Sequence, residues 1–189
     1  WFTLPLTVPN YLAGFVGKPV LPLDAPEVSA AIERVQKRTD ALLNCGGTHR
    51  PEWFHRKLGD ILYEGCGVAR DEAGLLDALT KVRELREEFW RDVKVVGTGN
   101  RLNQELEKAG RVADFIELGE VMILDALDRR ESAGAHFRNE YATEAGEAKR
   151  NDGDWCAVSA WETRPDGTKV RHSEPLSFSL IDLQVRDYR

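Results

Sequence analysis

A long helical pattern between Asp71 and Val93 constrains the fold of this chain more than any other feature. Its apolar residues follow one another in steps of one, three and four, which places them on one helical face over about five turns. They are Leu75, Leu76, Leu79, Val82, Leu85, Phe89, Trp90 and Val93. A helix with such a stripe has to bury it against other elements, so the pattern predicts a helical bundle.

Three further segments repeat the helical period. Asp24 and Glu27 resemble a capping box, and Pro51 is suited to the first turn of the next helix. Glycines end each segment, and the short loops that contain them favour antiparallel neighbours. The four predicted helices cover residues 24–45, 51–64, 71–96 and 103–130.

The two ends of the chain have different patterns. Residues 1–23 contain Pro5, Pro9, Pro19 and Pro22 and no clear period, so we interpret them as a residual strip that packs on an upstream domain. Residues 139–189 predict a hairpin, with Pro165-Asp166-Gly167 as its turn, and an extended tail. The predicted fold class is therefore mainly α: an antiparallel helical bundle of three to four helices over residues 24–138, with a C-terminal β-hairpin and extended tail.

Composition narrows the function classes. Hydrophobic residues make up 42% and charged residues 31% of the 189 residues, which is typical of a soluble globular protein. The formal net charge of −6 argues against a general attraction to nucleic acid. No apolar run reaches the roughly 20 residues that a membrane helix needs. The sequence begins at Trp1 and not at methionine, so we expect it to begin within a longer protein.

Three local groupings suggest chemistry only weakly. Gly97-Thr98-Gly99 lacks the third glycine of a dinucleotide fingerprint and follows a helix, so we interpret it as a turn. Cys45, His49 and His55 lack a fourth ligand, so we interpret them as loop residues and predict no metal site. Ser132 and His136, with Glu131 as the third member, lack the glycine pattern of a nucleophile elbow, so we predict no catalytic triad.

The most unusual run lies where the fourth helix ends. We call its members the clasp residues: Arg129, Arg130, Glu131, Ser132, Gly134, His136 and Arg138. Cations at a helix C-terminus complement the helix dipole, and a glutamate can pair with an arginine. We therefore predict a structural clasp in which Glu131 pairs with an arginine while His136 and Arg138 fix the exit of the chain.

The run Arg130-Glu131-Ser132-Ala133-Gly134-Ala135-His136-Phe137-Arg138 resembles the R-E-S-R-G-x-H-x-R signature of succinate dehydrogenase, fumarate reductase and L-aspartate oxidase flavoproteins. It departs from that signature at Ala133, where many members have arginine. Three further stretches resemble dehydrogenases with a diheme or single membrane anchor, and a tail with Arg186-Asp187-Tyr188 is more similar to dehydrogenases than to aspartate oxidases. The stretches are residues 1–13, 89–93 and 102–114.

The resemblance implies a parent protein that oxidises succinate to fumarate through FAD. Electrons would leave through an iron–sulfur subunit and a membrane anchor subunit to a quinone, on the cytoplasmic side of the membrane. The family's flavin-binding and catalytic residues would all lie upstream of Trp1, in a flavin-binding domain of the same chain. This chain would then be a non-catalytic C-terminal domain with no cofactor-binding, catalytic or metal-binding residue of its own.

Two alternatives and one consequence remain at this point. The chain could be a free-standing helical interaction module, or a fragment of an L-aspartate oxidase. A domain separated from its neighbour exposes apolar surface, so we also expect self-association through residues Trp1 to Val20.

Overall fold

The computed structural model describes residues 3–184, and their side chains from residue 7 onward. Within it the chain divides into two compact units, one ending at Asp40 and the other beginning at Ala41. The Arg186-Asp187-Tyr188 stretch of the tail lies outside the described residues, as do the side chains of Phe2, Leu4 and Leu6.

The first unit contains a helix that the sequence did not predict. α1 covers Thr3–Ala13 and includes Pro9. The prolines argue against one long helix, and this short helix can form because Pro5 lies in the first turn, where backbone N–H groups have no helical partner. Only Pro9 therefore removes a helical hydrogen bond, and one loss does not prevent a short helix.

α2 covers Pro26–Asn44, and its apolar stripe is exposed in the N-terminal half, whereas Leu42 near its end is buried. Ile32 and Val35 are 62% and 66% exposed, and Leu21 and Leu23, which precede the helix, are also exposed. The predicted helical period is present, but this part of the stripe is not covered.

The second unit holds most of the regular structure. Its long helices are the last three of the four that the sequence predicts, while a short parallel strand pair and a four-residue helix are additional. The elements are α3 (Pro51–Gly65), β1 (Ala69–Arg70), α4 (Glu72–Asp92), α5 (Gln104–Asp128), β2 (Phe137–Arg138), α6 (Asp152–Trp155), β3 (Ala157–Thr163) and β4 (Lys169–Pro175), with a 3₁₀ turn at Asn139–Tyr141.

Side-chain caps fix where two of the long helices begin. The Asp71 carboxylate accepts a hydrogen bond from the Gly74 N–H at 2.8 Å, at the start of α4. The Asn103 amide oxygen accepts from the N–H groups of Glu105 and Leu106, each at 3.1 Å, at the start of α5. These side chains satisfy N–H groups that have no partner within the helix, which is why the predicted starts are accurate.

The core lies where α3, α4 and α5 pack together. Phe54 of α3 and Phe89 of α4 are fully buried and meet edge to face, with ring centroids 5.2 Å apart. Burying each such side chain contributes about 1.5–3 kcal/mol to folding. Leu76 and Trp90 belong to the predicted α4 stripe but are 49% and 39% exposed, so the buried stripe is narrower than the sequence indicates.

Two small sheets complete the second unit. β1 and β2 are parallel and pair Ala69 with Phe137 and Arg70 with Arg138. β3 and β4 form the predicted antiparallel hairpin, and Gly167 has a φ of +85° in its turn. The fold class is confirmed: the chain is mainly helical with a C-terminal hairpin. Among residues 3–184, no helix has the length and apolar character to cross a membrane.

Polar contacts join the hairpin to α5. The Trp161 indole N–H donates to Asp125 at 2.8 Å, and Lys169 lies 2.9 Å from Glu117. Arg171 pairs with Asp128 at 2.5 Å. Acidic side chains of α5 thus bind polar and basic side chains on one face of the hairpin.

Candidate functional site

The clasp residues surround the C-terminal end of α5. Arg138 is 2% exposed, and its Nη1 donates to the carbonyl oxygens of Ala126 and Leu127 at 2.7 and 3.3 Å. Its Nε donates to Glu140 at 3.1 Å. Arg138 therefore satisfies two carbonyl groups that have no partner within the last helical turn and complements the helix dipole.

Ser132 closes the loop that leads from α5 to β2. Its buried hydroxyl donates to the Arg138 carbonyl at 3.1 Å and accepts from the Arg138 N–H at 2.8 Å. The Ser132 N–H donates to the Lys149 carbonyl at 2.9 Å. The hydroxyl thus both donates to and accepts from the Arg138 backbone, and it holds the loop closed.

Glu131 is a buried carboxylate with a partner on each oxygen. Arg129 donates to Oε1 through Nε and Nη2, at 2.9 and 2.6 Å. The Asn151 N–H donates to Oε2 at 2.8 Å. Glu131 is 2% exposed, and a buried charge needs such partners to offset its lost hydration. The predicted pairing with an arginine is formed, and it involves Arg129.

His136 stabilises the turn between Ala133 and itself. The two residues exchange backbone hydrogen bonds of 2.8 and 3.1 Å, and Gly134 has a φ of +59°. Nε2 lies 3.0 Å from the Arg129 carbonyl, which can only accept, so Nε2 carries the proton. Burial lowers the pKa of His136, and the positive charges of three nearby arginines act in the same direction.

The polar residues of the clasp do not form a catalytic triad. Ser132, Glu131 and His136 are bonded to different groups, and none of these bonds joins a nucleophile to a base. Arg130 is exposed, and within residues 3–184 its side chain makes no hydrogen bond or ion pair. Another arginine, Arg70, approaches the clasp residues, and its Nη2 lies 3.5 Å from the Ala135 carbonyl. No sequence signal links Arg70 to the clasp residues, because it lies far from them in the chain and next to a helix cap.

Each of the side chains of Cys45, His49 and His55 contacts a different partner. Nδ1 of His49 bonds the Asp92 carboxylate, while the Cys45 thiol donates to the Trp90 carbonyl at 3.4 Å. The His55 ring lies 5.6 Å from the ring of Phe115. Within the described part of the chain, no group of three or more His, Cys, Asp or Glu residues has a metal-binding arrangement.

The glycines at 97 and 99 lie in the loop between α4 and α5. Gly97 has a φ of +96°, and the Asn103 amide next to it donates to the Val96 carbonyl at 2.9 Å. A dinucleotide fingerprint requires a turn between a strand and a helix, which this loop is not. The Gly97–Gly99 loop connects two helices, so it is not a dinucleotide-binding turn.

Comparison with known families decides what kind of domain this is. A family described as the C-terminal part of the fumarate reductase flavoprotein matches residues 55–188. The chain belongs to this family. The predicted relationship is thereby confirmed, and the clasp residues are part of a flavoprotein C-terminal domain.

Curated relatives of this flavoprotein C-terminal domain are much longer proteins. The succinate dehydrogenase flavoprotein subunit of Bacillus subtilis is 26% identical over 160 residues, which are 84% of this chain and 26% of that protein. The fumarate reductase flavoprotein subunit of Helicobacter pylori is 28% identical over 188 residues, or 97% of this chain and 25% of that protein. The chain thus spans about a quarter of the length of these relatives.

Solved structures show the same fold. A quinol fumarate reductase variant from Escherichia coli aligns with a TM-score of 0.70 at 24% identity, over 82% of this chain and 26% of that one. Adenylylsulfate reductase from Archaeoglobus fulgidus aligns with a TM-score of 0.67 at 18% identity, over 90% and 28%. The fold of this domain therefore occurs in more than one kind of reductase.

Proposed function

We propose that this domain is a non-catalytic brace within a flavoprotein subunit that interconverts succinate and fumarate through FAD. The observation that carries the proposal is how the clasp residues are bonded. Ser132 bonds the backbone of Arg138, Arg138 bonds the backbone at the end of α5, and Glu131 is neutralised by Arg129. Groups committed in this way hold a chain in place and are not free to move protons or attack a substrate.

The exposed apolar surface of the first unit supports an upstream partner in the same chain. Leu21, Val28, Ile32 and Val35 line an apolar groove along α2. These residues precede residue 55, where the match to the family's C-terminal domain begins. We propose that this groove contacts a flavin-binding domain located upstream, with residues 1–23 as the strip nearest to it, residues 24–138 as the bundle, and residues 139–189 as the hairpin and tail.

The relatives also suggest further partners. A solved quinol fumarate reductase that contains menaquinol has this fold, with a TM-score of 0.71 at 23% identity. We propose that the parent of this chain works with an iron–sulfur subunit and a membrane anchor subunit, on the cytoplasmic side of a membrane.

A binding and activity assay tests the brace. The 189-residue chain is mixed with FAD, passed through a desalting column and assayed for succinate-dependent dye reduction, with the full-length flavoprotein subunit as the positive control. We expect the chain to retain no flavin and to reduce no dye. Stoichiometric retention of flavin, or dye reduction by the chain alone, would show that the domain is more than a brace.

The predicted self-association needs a separate measurement. Val8, Tyr11 and Leu12 of α1 are 42%, 69% and 54% exposed, which provides an apolar surface. We expect sedimentation velocity to show concentration-dependent dimers, and Tyr11→Glu together with Leu12→Glu to convert them to monomers. A chain that sediments as a monomer at every concentration would exclude this contact.

A further inference from the structure

Arg70 is a half-buried cation with weak partners. It lies in β1 beside Arg138 of β2, between Cys66 and the turn at residues 133–136. Nη1 is 3.8 Å from the Cys66 sulfur, which is a weak acceptor, and Nη2 is 3.5 Å from the Ala135 carbonyl, a long distance for an N–H···O hydrogen bond. Nε is enclosed and has no hydrogen-bond partner.

The neighbouring arginines differ from Arg70 in this respect. Arg129 pairs with Glu131 and Arg138 with Glu140, whereas no carboxylate of residues 3–184 lies within the 4.0 Å ion-pair distance of Arg70. A guanidinium that loses hydration without gaining strong acceptors is unfavourable, so such groups are normally paired.

The nearby carboxylates have other partners. Both oxygens of Glu131 accept hydrogen bonds, from Arg129 and from the Asn151 N–H. Glu140 accepts from Arg138 and from the Glu72 N–H. Asp71 caps α4 through the Gly74 N–H. None of these groups can turn to Arg70 without breaking a contact that it already makes.

We infer that Arg70 and the exposed turn at Gly134 and Ala135 form a notch that binds a carboxylate. The planar fork of an arginine matches the two oxygens of a carboxylate. The charges of Arg129 and Arg138 reach the same turn, since both act on His136 within it. Arg129 and Arg138 are compensated by Glu131 and Glu140, so among residues 3–184 Arg70 supplies an uncompensated positive charge beside this turn.

The ligand is a carboxylate from one of two sources: a free small carboxylate, or a Glu or Asp side chain of a partner polypeptide. The turn is open to both because Gly134 and Ala135 are exposed. Carboxylate binding at Arg70 is independent of the proposed function, because Arg70 can bind a carboxylate whether or not the domain takes part in catalysis.

NMR of arginine side chains tests the notch on the ¹⁵N-labelled 189-residue chain. Acetate and a short Glu-containing peptide are added separately, with sodium chloride at matched ionic strength as the reference. We expect the Arg70 Nε–H signal and the Ala135 amide signal to shift saturably with the carboxylates and not with chloride. Tighter binding of the peptide than of acetate identifies a polypeptide as the source, and equal binding identifies a free carboxylate.

Two substitutions make the result specific. We expect Arg70→Met to weaken carboxylate binding about tenfold or more, and Arg70→Lys, which keeps the charge and loses the fork, to weaken it by a smaller factor. Arg91→Met, at an exposed arginine at the end of α4, is the matched control and should leave binding unchanged. Chloride shifts equal to those of acetate, or full binding by a folded Arg70→Lys variant, would overturn the inference.

Discussion

The Asp92 carboxylate binds both the backbone N–H and the side-chain hydroxyl of Thr48. The Thr48 N–H donates to Oδ1 at 2.7 Å, and the Thr48 hydroxyl lies 2.8 and 2.9 Å from the two carboxylate oxygens. His49 adds its Nδ1 to the same carboxylate and stacks on Trp53, with ring centroids 4.1 Å apart. The loop between α2 and α3 is thereby fastened to the C-terminal end of α4.

This fastening requires glycine at position 47. A Cβ at Gly47 would lie 2.0 Å from the carbonyl carbon of Asp92, a distance that backbone cannot accommodate without moving. We expect Gly47→Ala to lower the free energy of unfolding by about 2 kcal/mol or more. Urea unfolding followed by circular dichroism measures the change.

Gly59→Ala is the matched control for Gly47→Ala. Gly59 is an exposed position of α3, and a Cβ there would meet no atom within 4 Å. Alanine at this position should stabilise the helix by about 0.5–1 kcal/mol. If both substitutions changed the stability by the same amount and sign, the close approach at Gly47 would not be the cause.

Asp92 also predicts a loss of stability in acid. Its pKa is lowered from 3.8 to about 2, chiefly by the hydrogen bond with His49 and then by those from Thr48. Because the folded pKa lies below the unfolded one, this stabilisation is present above about pH 4 and is lost as the pH falls toward 2. We expect Asp92→Asn to lower the melting temperature at pH 7, and the difference from the unsubstituted chain to shrink at pH 2.

The control for Asp92 is an exposed aspartate with an ordinary helical pair. Asp77 pairs with Lys81 one turn along α4, and its side chain is 61% exposed. Such surface pairs contribute little, so Asp77→Asn should hardly change the melting temperature at any pH. If the difference in melting temperature between Asp92→Asn and the unsubstituted chain stayed constant from pH 7 to pH 2, the Asp92 carboxylate would not be the source of this stabilisation.

The sequence predicts the long helices well because their signals are local. Asp71 and Asn103 lie at the starts of α4 and α5, and their caps involve residues only two or three positions away. The hairpin is likewise predicted by its Pro165-Asp166-Gly167 turn. Signals of this kind depend on helix and turn geometry and not on tertiary contacts.

The parts that the sequence could not predict depend on distant residues. The parallel pairing of Ala69 with Phe137 involves strands of two residues, which are too short to show a period. Glu131 was predicted to pair with an arginine, but its second partner, the Asn151 N–H, belongs to a later loop. Arg70 has no local signal either, because it approaches the clasp only through the β1–β2 pairing.

Glu120 is the buried charge that joins α4 to α5. It is 3% exposed, accepts from Arg83 at 2.8 Å and also pairs with Arg86. Burial acts to raise the pKa of Glu120, but the hydrogen bond from Arg83 and the charges of both arginines outweigh it and lower the pKa. We expect Glu120→Gln to lower the free energy of unfolding by about 1–3 kcal/mol, measured by urea unfolding.

The reference for Glu120 is a glutamate on the outer side of the same helix. Glu107 pairs with Arg111, and the two side chains are 53% and 68% exposed. Glu107→Gln should change the stability by less than about 0.5 kcal/mol. If the two substitutions lowered the free energy of unfolding equally, the buried pairing of Glu120 with the two arginines would add nothing to stability.

His136 makes the clasp sensitive to mild acid. Burial and the facing charges of Arg70, Arg129 and Arg138 lower its pKa, so the folded chain favours the neutral imidazole. Because the folded pKa is below the unfolded value of about 6.5, the stabilisation is complete above that pH and declines as the pH falls through the folded pKa. We expect the free energy of unfolding, measured in urea at steps from pH 7.5 to pH 5, to fall with a slope that His136→Gln reduces.

His172→Gln is the control for His136→Gln. His172 is exposed and pairs with Glu162 at 2.8 Å, so its substitution should preserve the fall in stability. If His136→Gln leaves the slope unchanged, groups other than His136 cause the decline in stability.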